Sequence, residues 1–459
     1  MKISFIFPRF KYESGDPPLG VAYLASYIRK FSDSNIEILD TTFDHSFERV
    51  KTYFKKNKPD IVGVYLDTIM YNDAIKIIKE AKRYDCFIIA GGPHTTILPE
   101  TLIDFVDAVI IGEAEKPMLK IIKNFDNKDF GSIKNIWYKK RNIIYRNKIT
   151  YNNTDLDTYP FPSRDLLNME KYIERCHQFD SINPKLRATT MVVSRGCPFS
   201  CSFCQPTLRK LFGKKFRIRS QENIIAEIKR IKKKYNLNAI FFHDDTLTAN
   251  KNWVIQFCSK LKKANLDLIF GCNTRIDTVD KNLLEIMYNA GFRELHIGIE
   301  SASQRIINDI YKKGINISTV KNILNIIRKI GFNTMCFFMI GAPTETKDDI
   351  KKTIKFACSL PTNEISVSIT NPIPKTELHK IMLKKHYFIS NDYIKFDYYS
   401  TRGFYRKNKD ELGLEELKKL QKLFLLRFYC NPKRWIYILK HVSSKKGIKK
   451  MIMKLKRFI

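Results

Sequence analysis

The sequence predicts an α/β protein with an N-terminal Rossmann-like domain, a partial (β/α)6 barrel and a helical, basic C-terminal extension. Short apolar runs alternate with amphipathic helical patterns through most of the chain. Glycine, cysteine and polar residues gather where the apolar runs end. The 459 residues suffice for two or three cores. We place the N-terminal domain at 1–150, a connector at 151–188, the barrel at 189–385 and the extension at 386–459.

The N-terminal domain is predicted from strands that alternate with helices. The predicted strands are Lys2–Phe7, Ile36–Leu39, Ile61–Tyr65, Phe87–Ala90 and Ala108–Ile111, and the predicted helices are Pro18–Phe31, Asp44–Lys55, Tyr71–Tyr84 and Pro99–Phe105. Such alternation favours a parallel sheet covered on both faces. Ligands of these sheets bind at the carboxyl ends of the strands.

Three loops at those strand ends are rich in glycine and proline. They are Pro17-Pro18-Leu19-Gly20, Gly91-Gly92-Pro93-His94 and Gly112-Glu113. Glycine lets the backbone approach a ligand closely, and a helix that starts in such a loop offers its N-terminus to anionic groups. Glycine-rich strand ends are also common without a ligand. The G-x-G-x-x-G pattern is missing, so a dinucleotide fingerprint is not supported.

The barrel is predicted from six strand-plus-helix units. Its strands are Thr190–Ser194, Ala239–His243, Leu268–Cys272, Glu294–Ile299, Asn333–Ile340 and Glu364–Thr370, and its helices include Gln221–Tyr235, Lys251–Ala264, Lys281–Ala290, Ser303–Ile310, Ser318–Ile330 and Lys347–Ser359. In barrels of this kind the functional residues lie at the carboxyl ends of the strands.

Polar residues follow four successive barrel strands. They are His243, Asp244 and Asp245 after the second strand, Asn273 and Arg275 after the third, Glu300 and Ser301 after the fourth, and Gly341 to Glu345 after the fifth. Arg275 offers a fork of donors for a carboxylate or phosphate. Taken singly, each cluster could equally be a loop with capping residues, as Asp244 and Glu345 illustrate.

The loop after the first barrel strand carries three cysteines, Cys197, Cys201 and Cys204, in a C-x3-C-x2-C run. Thiolates are the usual ligands of iron–sulfur clusters, which normally take four of them. The next cysteine, Cys258, is more than fifty residues away. The spacing therefore predicts a [4Fe–4S] cluster with one iron open. The alternatives are a structural zinc site, for which a fourth ligand is not evident, and ordinary buried cysteines.

This run, with Phe203 before its last cysteine, resembles the signature of the radical SAM enzymes. The resemblance implies that the three cysteines hold the cluster and that the open iron binds S-adenosylmethionine (SAM). An external low-potential electron donor would then drive SAM cleavage to a 5′-deoxyadenosyl radical. The positions that the resemblance assigns to SAM and the cluster surroundings are Phe203, His243, Asp244, Asp245, Asn273, Arg275, Glu300, Ser301 and Gly341. One departure is Lys375, where relatives usually have glycine.

Together, the three N-terminal loops resemble the cobalamin-binding domain that precedes the barrel in one radical SAM subfamily. The D-x-H-x-x-G signature of other cobalamin proteins is missing, so the resemblance implies no histidine ligand to cobalt. His94 fits better as a hydrogen-bonding loop residue. The subfamily implies methylation of an unactivated carbon through methylcobalamin. Cyclisation, oxidation or rearrangement with the same cofactors, and a non-enzymatic sensor of cluster or cobalamin, are the alternatives.

The formal charge of +34 is concentrated in lysine, and no acidic residue follows Glu416. Ten basic residues from Lys433 onward, mixed with apolar ones, predict peripheral contact with an anionic membrane surface. A helix packed on the barrel with a solvated basic face fits as well. We expect a small-molecule or lipid substrate and no nucleic-acid partner, because no RNA-binding module is visible. Scattered cysteines and the lack of a signal peptide favour the reducing cytoplasm.

Overall fold

The computed structural model describes residues 1–434, apart from positions 12, 386, 390–403 and 406–411, together with position 448. The chain divides into two compact units, the first comprising Met1–Tyr172 and Thr207–Ile218 and the second Ile173–Pro206 and Arg219–Ile459. The predicted connector 151–188 is therefore divided at Tyr172. The basic tail on which the membrane prediction rests lies outside the described residues beyond 434, save position 448.

The described part of the first unit forms a seven-stranded sheet in the order β2-β1-β3-β4-β5-β6-β7. Its strands are β1 (Lys2–Phe7), β2 (Asn35–Asp40), β3 (Ile61–Tyr65), β4 (Phe87–Gly91), β5 (Ala108–Ile110), β6 (Ile136–Lys140) and β7 (Ile143–Arg146). The first five are parallel, and β6 and β7 extend the sheet as an antiparallel hairpin. All five predicted strands are confirmed to within one residue at each end, and the hairpin was not predicted.

Helices cover both faces of this sheet. They are α1 (Leu19–Phe31), α2 (Phe47–Asn57), α3 (Tyr71–Ala81), α4 (Pro93–Ile97) and α5 (Glu115–Lys123). Along β1, Ile3 and Phe5 pack into one apolar cluster and Ile6 into the opposite one, as alternation requires. The strand order reverses between β1 and β3, and in open sheets of this type the ligand crevice lies at the carboxyl ends of those strands.

The predicted helix Pro99–Phe105 is wrong. The helix in this region, α4, starts six residues earlier, and Pro99–Thr101 forms only a 3-10 turn. Pro93 occupies the first turn of α4, where its missing N–H costs nothing. The hydroxyls of Thr95 and Thr96 both donate to the Gly92 carbonyl, which ties this short helix to the loop before it.

In the second unit, six parallel strands among the described residues form a curled sheet in chain order, as the partial barrel predicts. They are β8 (Ala188–Met191), β11 (Ala239–Phe242), β12 (Ile269–Thr274), β13 (Phe292–Glu300), β14 (Asn333–Ile340) and β15 (Glu364–Ile369). The same unit has two-residue strands β9 (Ser194–Arg195), β16 (Phe388–Ile389) and β17 (Phe404–Tyr405), whereas β10 (Arg217–Ile218) and helix α7 (Thr207–Phe212) belong to the first unit and α6 (Met169–Arg175) spans the division at Tyr172. The other helices of the second unit are α8 (Gln221–Tyr235), α9 (Lys251–Ala264), α10 (Lys281–Asn289), α11 (Ile317–Ile330), α12 (Lys347–Ser359), α13 (Glu377–Lys384) and α14 (Leu414–Tyr429).

Two barrel elements differ from their predictions. The predicted strand Thr190–Ser194 ends early, at Met191, because the next backbone N–H groups turn toward a buried carboxylate described below. The predicted helix Ser303–Ile310 contains a π-helical turn over Ile306–Ile310. Within the described residues, no helix combines the length and apolar character needed to cross a membrane.

Candidate functional site

The three predicted cluster cysteines lie on one loop of the second unit, at the carboxyl end of β8. Cys201 is buried, Cys197 is half-buried and Cys204 reaches the surface. The loop turns back on itself, because the Cys204 N–H donates to the Cys201 carbonyl over 3.1 Å. Ser202 fixes the loop to the chain after the π-helical turn, since its hydroxyl donates to the Ile310 carbonyl over 2.6 Å and its N–H to the Tyr311 carbonyl over 2.8 Å.

The thiols are close enough to influence one another. Crowding by protein atoms raises the pKa of Cys204, and the neighbouring Cys201 and Cys197 add to the rise. Burial also raises the pKa of Cys197. Metal binding therefore has to release thiol protons. No group of three ligand side chains converges on a single ion in the described part of the chain. In an iron–sulfur cluster each thiolate binds a different iron.

The carboxylate of Asp244 is fully buried and holds the end of β8 in place. It accepts hydrogen bonds from the Val193 N–H at 3.0 Å, the Ser194 N–H at 2.6 Å and the Ser194 hydroxyl at 2.5 Å. Burial raises the pKa of Asp244 to about 6 despite these donors. His243 and Asp245, on either side of Asp244 in the chain, are exposed.

Asn273 and Phe203 are also engaged within the second unit. The Asn273 side-chain amide donates to the Asp244 carbonyl over 3.0 Å, which joins the ends of β11 and β12. The Phe203 ring packs edge-on against Tyr311 at 5.6 Å between centroids. The Tyr311 hydroxyl in turn lies 2.7 Å from that of Thr370, after β15. Through Phe203 and Tyr311, the cysteine loop therefore contacts the chain that follows β15, the strand at the opposite edge of the sheet from β8.

The guanidinium of Arg275 is only 6% exposed and is committed to protein partners. Its Nε and one Nη donate to the two carboxylate oxygens of Asp277, at 2.9 and 2.7 Å. The same Nη donates to the Lys313 carbonyl at 2.7 Å. The other Nη lies 3.4 Å from the sulfur of Cys201. The fork predicted to grip a ligand carboxylate is thus occupied by Asp277.

Glu300 ends β13 in a left-handed backbone conformation, with φ of +69°. Its carboxylate accepts a hydrogen bond from the buried ammonium of Lys313 at 2.6 Å. Gly298 lies directly beside this pair, because a Cβ there would come within 2.5 Å of both the Glu300 carboxylate and the Lys313 ammonium. Lys313 is therefore a site residue that sequence reasoning missed, in a chain where lysine is too abundant to attract notice.

Ser301 and Gly341 belong to the support of the site. Ser301 is fully buried, and its hydroxyl lies 3.4 Å from the Glu345 carboxylate. Glu345 accepts hydrogen bonds from the N–H groups of Gly341 and Ala342, at 2.6 and 3.0 Å, and so shapes the loop after β14. Lys375 has a φ of +63°, a conformation that favours glycine, the residue that the family resemblance implies at this position.

In the first unit, the glycine loops leave space at the strand ends. A Cβ placed on Gly20 or Gly91 would meet no atom within 4 Å, whereas one on Gly92 would strike the Leu66 carbonyl. Pro17, Pro18 and Leu19 are buried and form the start of α1. The backbone at Gly20 and at Gly91 therefore has open space beside it, as the approach of a ligand to these loops would require.

His94 is fully buried inside the first unit. Its Nδ1 lies 3.0 Å from the Thr68 hydroxyl and its Nε2 lies 3.0 Å from the Thr101 hydroxyl. Burial lowers the pKa of His94 to about 4. Both ring nitrogens are engaged, which agrees with the interpretation of His94 as a hydrogen-bonding loop residue rather than a cobalt ligand.

Glu113 is engaged by the segment that follows the cysteine loop. Arg217, in the stretch Thr207–Ile218 assigned to the first unit, forms an ion pair with its carboxylate, and the two side chains are only 5% and 4% exposed. Arg217 also donates to the Thr154 carbonyl at 3.2 Å. Gly112 next to it packs closely, since a Cβ there would lie 3.2 Å from the Leu211 carbonyl.

Comparisons with known proteins agree with this arrangement. The family model of the Radical SAM superfamily matches residues 191–357, and that of the B12 binding domain matches residues 11–122. An uncharacterized methyltransferase of Pyrococcus horikoshii is 32% identical over 424 residues, which span 91% of this chain and 88% of the relative. The chain belongs to the radical SAM enzymes with a B12-binding domain. The cofactors predicted from the sequence, a [4Fe–4S] cluster, SAM and cobalamin, are those of this family.

Two further proteins are similar to this chain over most of its length. An anaerobic magnesium-protoporphyrin IX monomethyl ester cyclase of Rubrivivax gelatinosus is 28% identical over 398 residues, covering 82% of this chain and 69% of the relative. The solved structure of the radical SAM methyltransferase TsrM from Kitasatospora setae, with cobalamin and cluster bound, matches with a TM-score of 0.69. That match covers 84% of this chain and 75% of TsrM at 14% identity, so it supports the fold.

A first prediction concerns the Glu113–Arg217 pair. Glu113→Gln leaves a buried guanidinium without its countercharge, which typically costs about 3–5 kcal/mol. We expect a clear fall in the urea midpoint of the first unit, followed by tryptophan fluorescence or circular dichroism. Glu48→Gln, which removes one partner of the exposed Lys51 pair in the same unit, is the matched control and should change the midpoint little. Equal midpoints for the two variants would contradict the structural role of Glu113.

A second prediction concerns pH and His94. Its folded pKa of about 4 lies below the ordinary value of 6.5, so the unfolded chain binds the extra proton between those values. The stabilisation is complete above pH 6.5 and is lost as the pH falls toward 4, by about 3 kcal/mol. Urea unfolding of wild type and His94→Gln across this range should show the loss in wild type only. An altered absorption spectrum of bound cobalamin in His94→Gln would instead identify His94 as a cobalt ligand.

Proposed function

We propose that this enzyme methylates an unactivated carbon of a small molecule or lipid. The observation that carries the proposal is the loop of three neighbouring thiols beside the exposed His243 and Asp245, in a chain with bare glycine-lined strand ends in its B12-binding domain. When bound, the cluster with SAM supplies a 5′-deoxyadenosyl radical and methylcobalamin supplies the methyl group. The protein orients these groups and excludes side reactions.

The residues of the second unit divide this work. Cys197, Cys201 and Cys204 hold the cluster. Asp245 and His243, exposed at the end of β11, offer acceptors for the amino group of SAM. Asp244 and Ser301 act by holding the strand ends rather than by touching the cofactor, because both are buried against protein partners.

Glu300 is proposed as the acceptor on the opposite side of the site. Its ion pair with Lys313 fixes one carboxylate oxygen, which leaves the other for a hydroxyl or amino donor of SAM. A buried ion pair of this kind contributes geometry more than stability, because desolvation of both charges offsets their attraction. The carboxylate is therefore held still before the cofactor arrives, which lowers the entropic cost of binding.

In the first unit, we propose that cobalamin lies over Gly20 and Gly91 without His94 as its lower ligand. The Pro17–Gly20 loop and the Gly91–Pro93 loop would line the corrin ring with backbone atoms. Glu113 holds the third loop through Arg217 instead of contacting the cofactor directly. Peripheral membrane contact through the basic tail and an external low-potential electron donor remain predictions from the sequence.

A second candidate function keeps both cofactors but ends in cyclisation or oxidation. The similarity to a magnesium-protoporphyrin ester cyclase favours it. The two functions differ in how SAM is used. Methylation consumes one SAM as the methyl donor to cobalamin and cleaves a second one reductively, whereas cyclisation requires no methyl donor. A sensor would use SAM neither as a methyl donor nor as a source of 5′-deoxyadenosine.

The third prediction follows from this difference. In the reconstituted, reduced enzyme with its substrate, S-adenosylhomocysteine and 5′-deoxyadenosine should form in equal amounts, both matched by methylated product. Substrate deuterated at the reacting carbon should transfer deuterium to 5′-deoxyadenosine. 5′-Deoxyadenosine without S-adenosylhomocysteine would instead support the cyclisation alternative, and the lack of both products under strong reduction would support a sensor.

The fourth prediction separates ligand cysteines from core cysteines. Cys197→Ala, Cys201→Ala and Cys204→Ala should each lose the cluster, seen as loss of bound iron, sulfide and visible absorption after anaerobic reconstitution. Cys258→Ala is the control, because this buried cysteine packs in α9 away from the cysteine loop. It should keep full iron content. Retention of the cluster in any of the first three variants would remove that cysteine from the ligand set.

A further inference from the structure

We propose that Arg275 sets the reduction potential of the cluster by donating a hydrogen bond to the sulfur of Cys201, and that it does not bind the carboxylate of SAM. This inference rests on the proposed function only in that Cys197, Cys201 and Cys204 bind an iron–sulfur cluster. It concerns the contact of one residue of this chain with a ligand of that cluster. It holds whatever carbon or substrate the enzyme acts on.

The first argument is the way in which the donors of Arg275 are used. Asp277 takes the Nε and one Nη in a bidentate pair, and the Lys313 carbonyl takes the same Nη from another direction. Bidentate pairs are directional as well as strong, so they fix the plane of the guanidinium. The donor edge that remains carries the second Nη, and this atom lies 3.4 Å from the Cys201 sulfur.

The second argument is the packing of the guanidinium against the cysteine loop. Its central carbon lies 3.9 Å from the centroid of the Phe199 ring, and Phe199 stands between Cys197 and Cys201 in the chain. Cation–π contact of this kind strengthens when the cation is shielded from water, and Arg275 is only 6% exposed. The contact with Phe199 therefore fixes the position of the guanidinium relative to the cysteine loop.

A fixed positive charge beside a cluster ligand has a definite electrochemical effect. Reduction adds one electron to the cluster, and a nearby cation with an N–H directed at a ligand sulfur stabilises that added charge. Arg275 should thus raise the potential relative to a neutral side chain. Because the external donor must deliver an electron to a low-potential cluster, this rise favours the reduced state from which SAM is cleaved.

The test measures potential and SAM affinity separately. Wild type, Arg275→Gln and Arg275→Lys are reconstituted anaerobically, without cobalamin or substrate, and titrated with a low-potential reductant while the reduced cluster is followed by electron paramagnetic resonance. We expect the ratio of reduced to oxidised cluster at the wild-type midpoint to fall about tenfold in Arg275→Gln, which corresponds to 59 mV for one electron. Arg275→Lys keeps the charge and should fall less. SAM affinity should change less than threefold.

Arg305→Gln is the matched control, because Arg305 is a half-exposed arginine of the same unit that pairs with Asp349. It should leave the midpoint unchanged. Asp277→Glu is a second probe that keeps both charges but displaces the fork with a longer side chain, and it should shift the midpoint in the same direction as Arg275→Gln by a smaller amount. This variant, with Arg275→Lys, decides the question if Arg275→Gln does not assemble a cluster.

The contrary results are distinct. A wild-type midpoint in Arg275→Gln, or in both Arg275→Lys and Asp277→Glu, would overturn the proposal. If the same variants lost SAM affinity tenfold or more, Arg275 would be a SAM-binding residue as the sequence resemblance implies. Failure of the methylation proposal would not affect these titrations, because they contain no substrate and no cobalamin.

Discussion

The buried carboxylate of Asp244 is the constraint on which the geometry of the barrel site depends. Three donors from Val193 and Ser194 converge on it, so β8 cannot continue and the chain turns into the cysteine loop at a fixed point. The Asp244 carbonyl then accepts from Asn273, so one residue joins the ends of three neighbouring strands. The pKa of about 6 records the cost of placing this carboxylate away from water. The donors offset that cost and fix its position.

The polar residues at the barrel strand ends differ in exposure. Asp244, Glu300 and Ser301 are buried, whereas His243 and Asp245 are exposed. Asp244 and Ser301 form hydrogen bonds with other protein groups and so stabilise the strand ends. The positions that the family resemblance implies are therefore a mixture of exposed side chains and buried, supporting ones.

The sequence predicts the secondary structure better than the role of each residue. The local apolar patterns of β3 and β14 predict both strands with the correct ends. The end of β8 and the contacts of Arg275 with Cys201 and Lys313 are not predicted, since they depend on residues far along the chain. Glu113 illustrates the limit: its family position suggested a cofactor contact, but Arg217, 104 residues later, takes its carboxylate.

Lys313 contacts both Arg275 and Glu300. Its carbonyl accepts from Arg275, which reaches the sulfur of Cys201, and its ammonium holds Glu300. Two buried cations thus lie beside two carboxylates, Asp277 and Glu300, and the charges balance within a short distance. Such balance is needed because an isolated buried charge would be expensive. A Cβ at Gly298 would lie within 2.5 Å of both the Glu300 carboxylate and the Lys313 ammonium, so a side chain there would displace the ends of both.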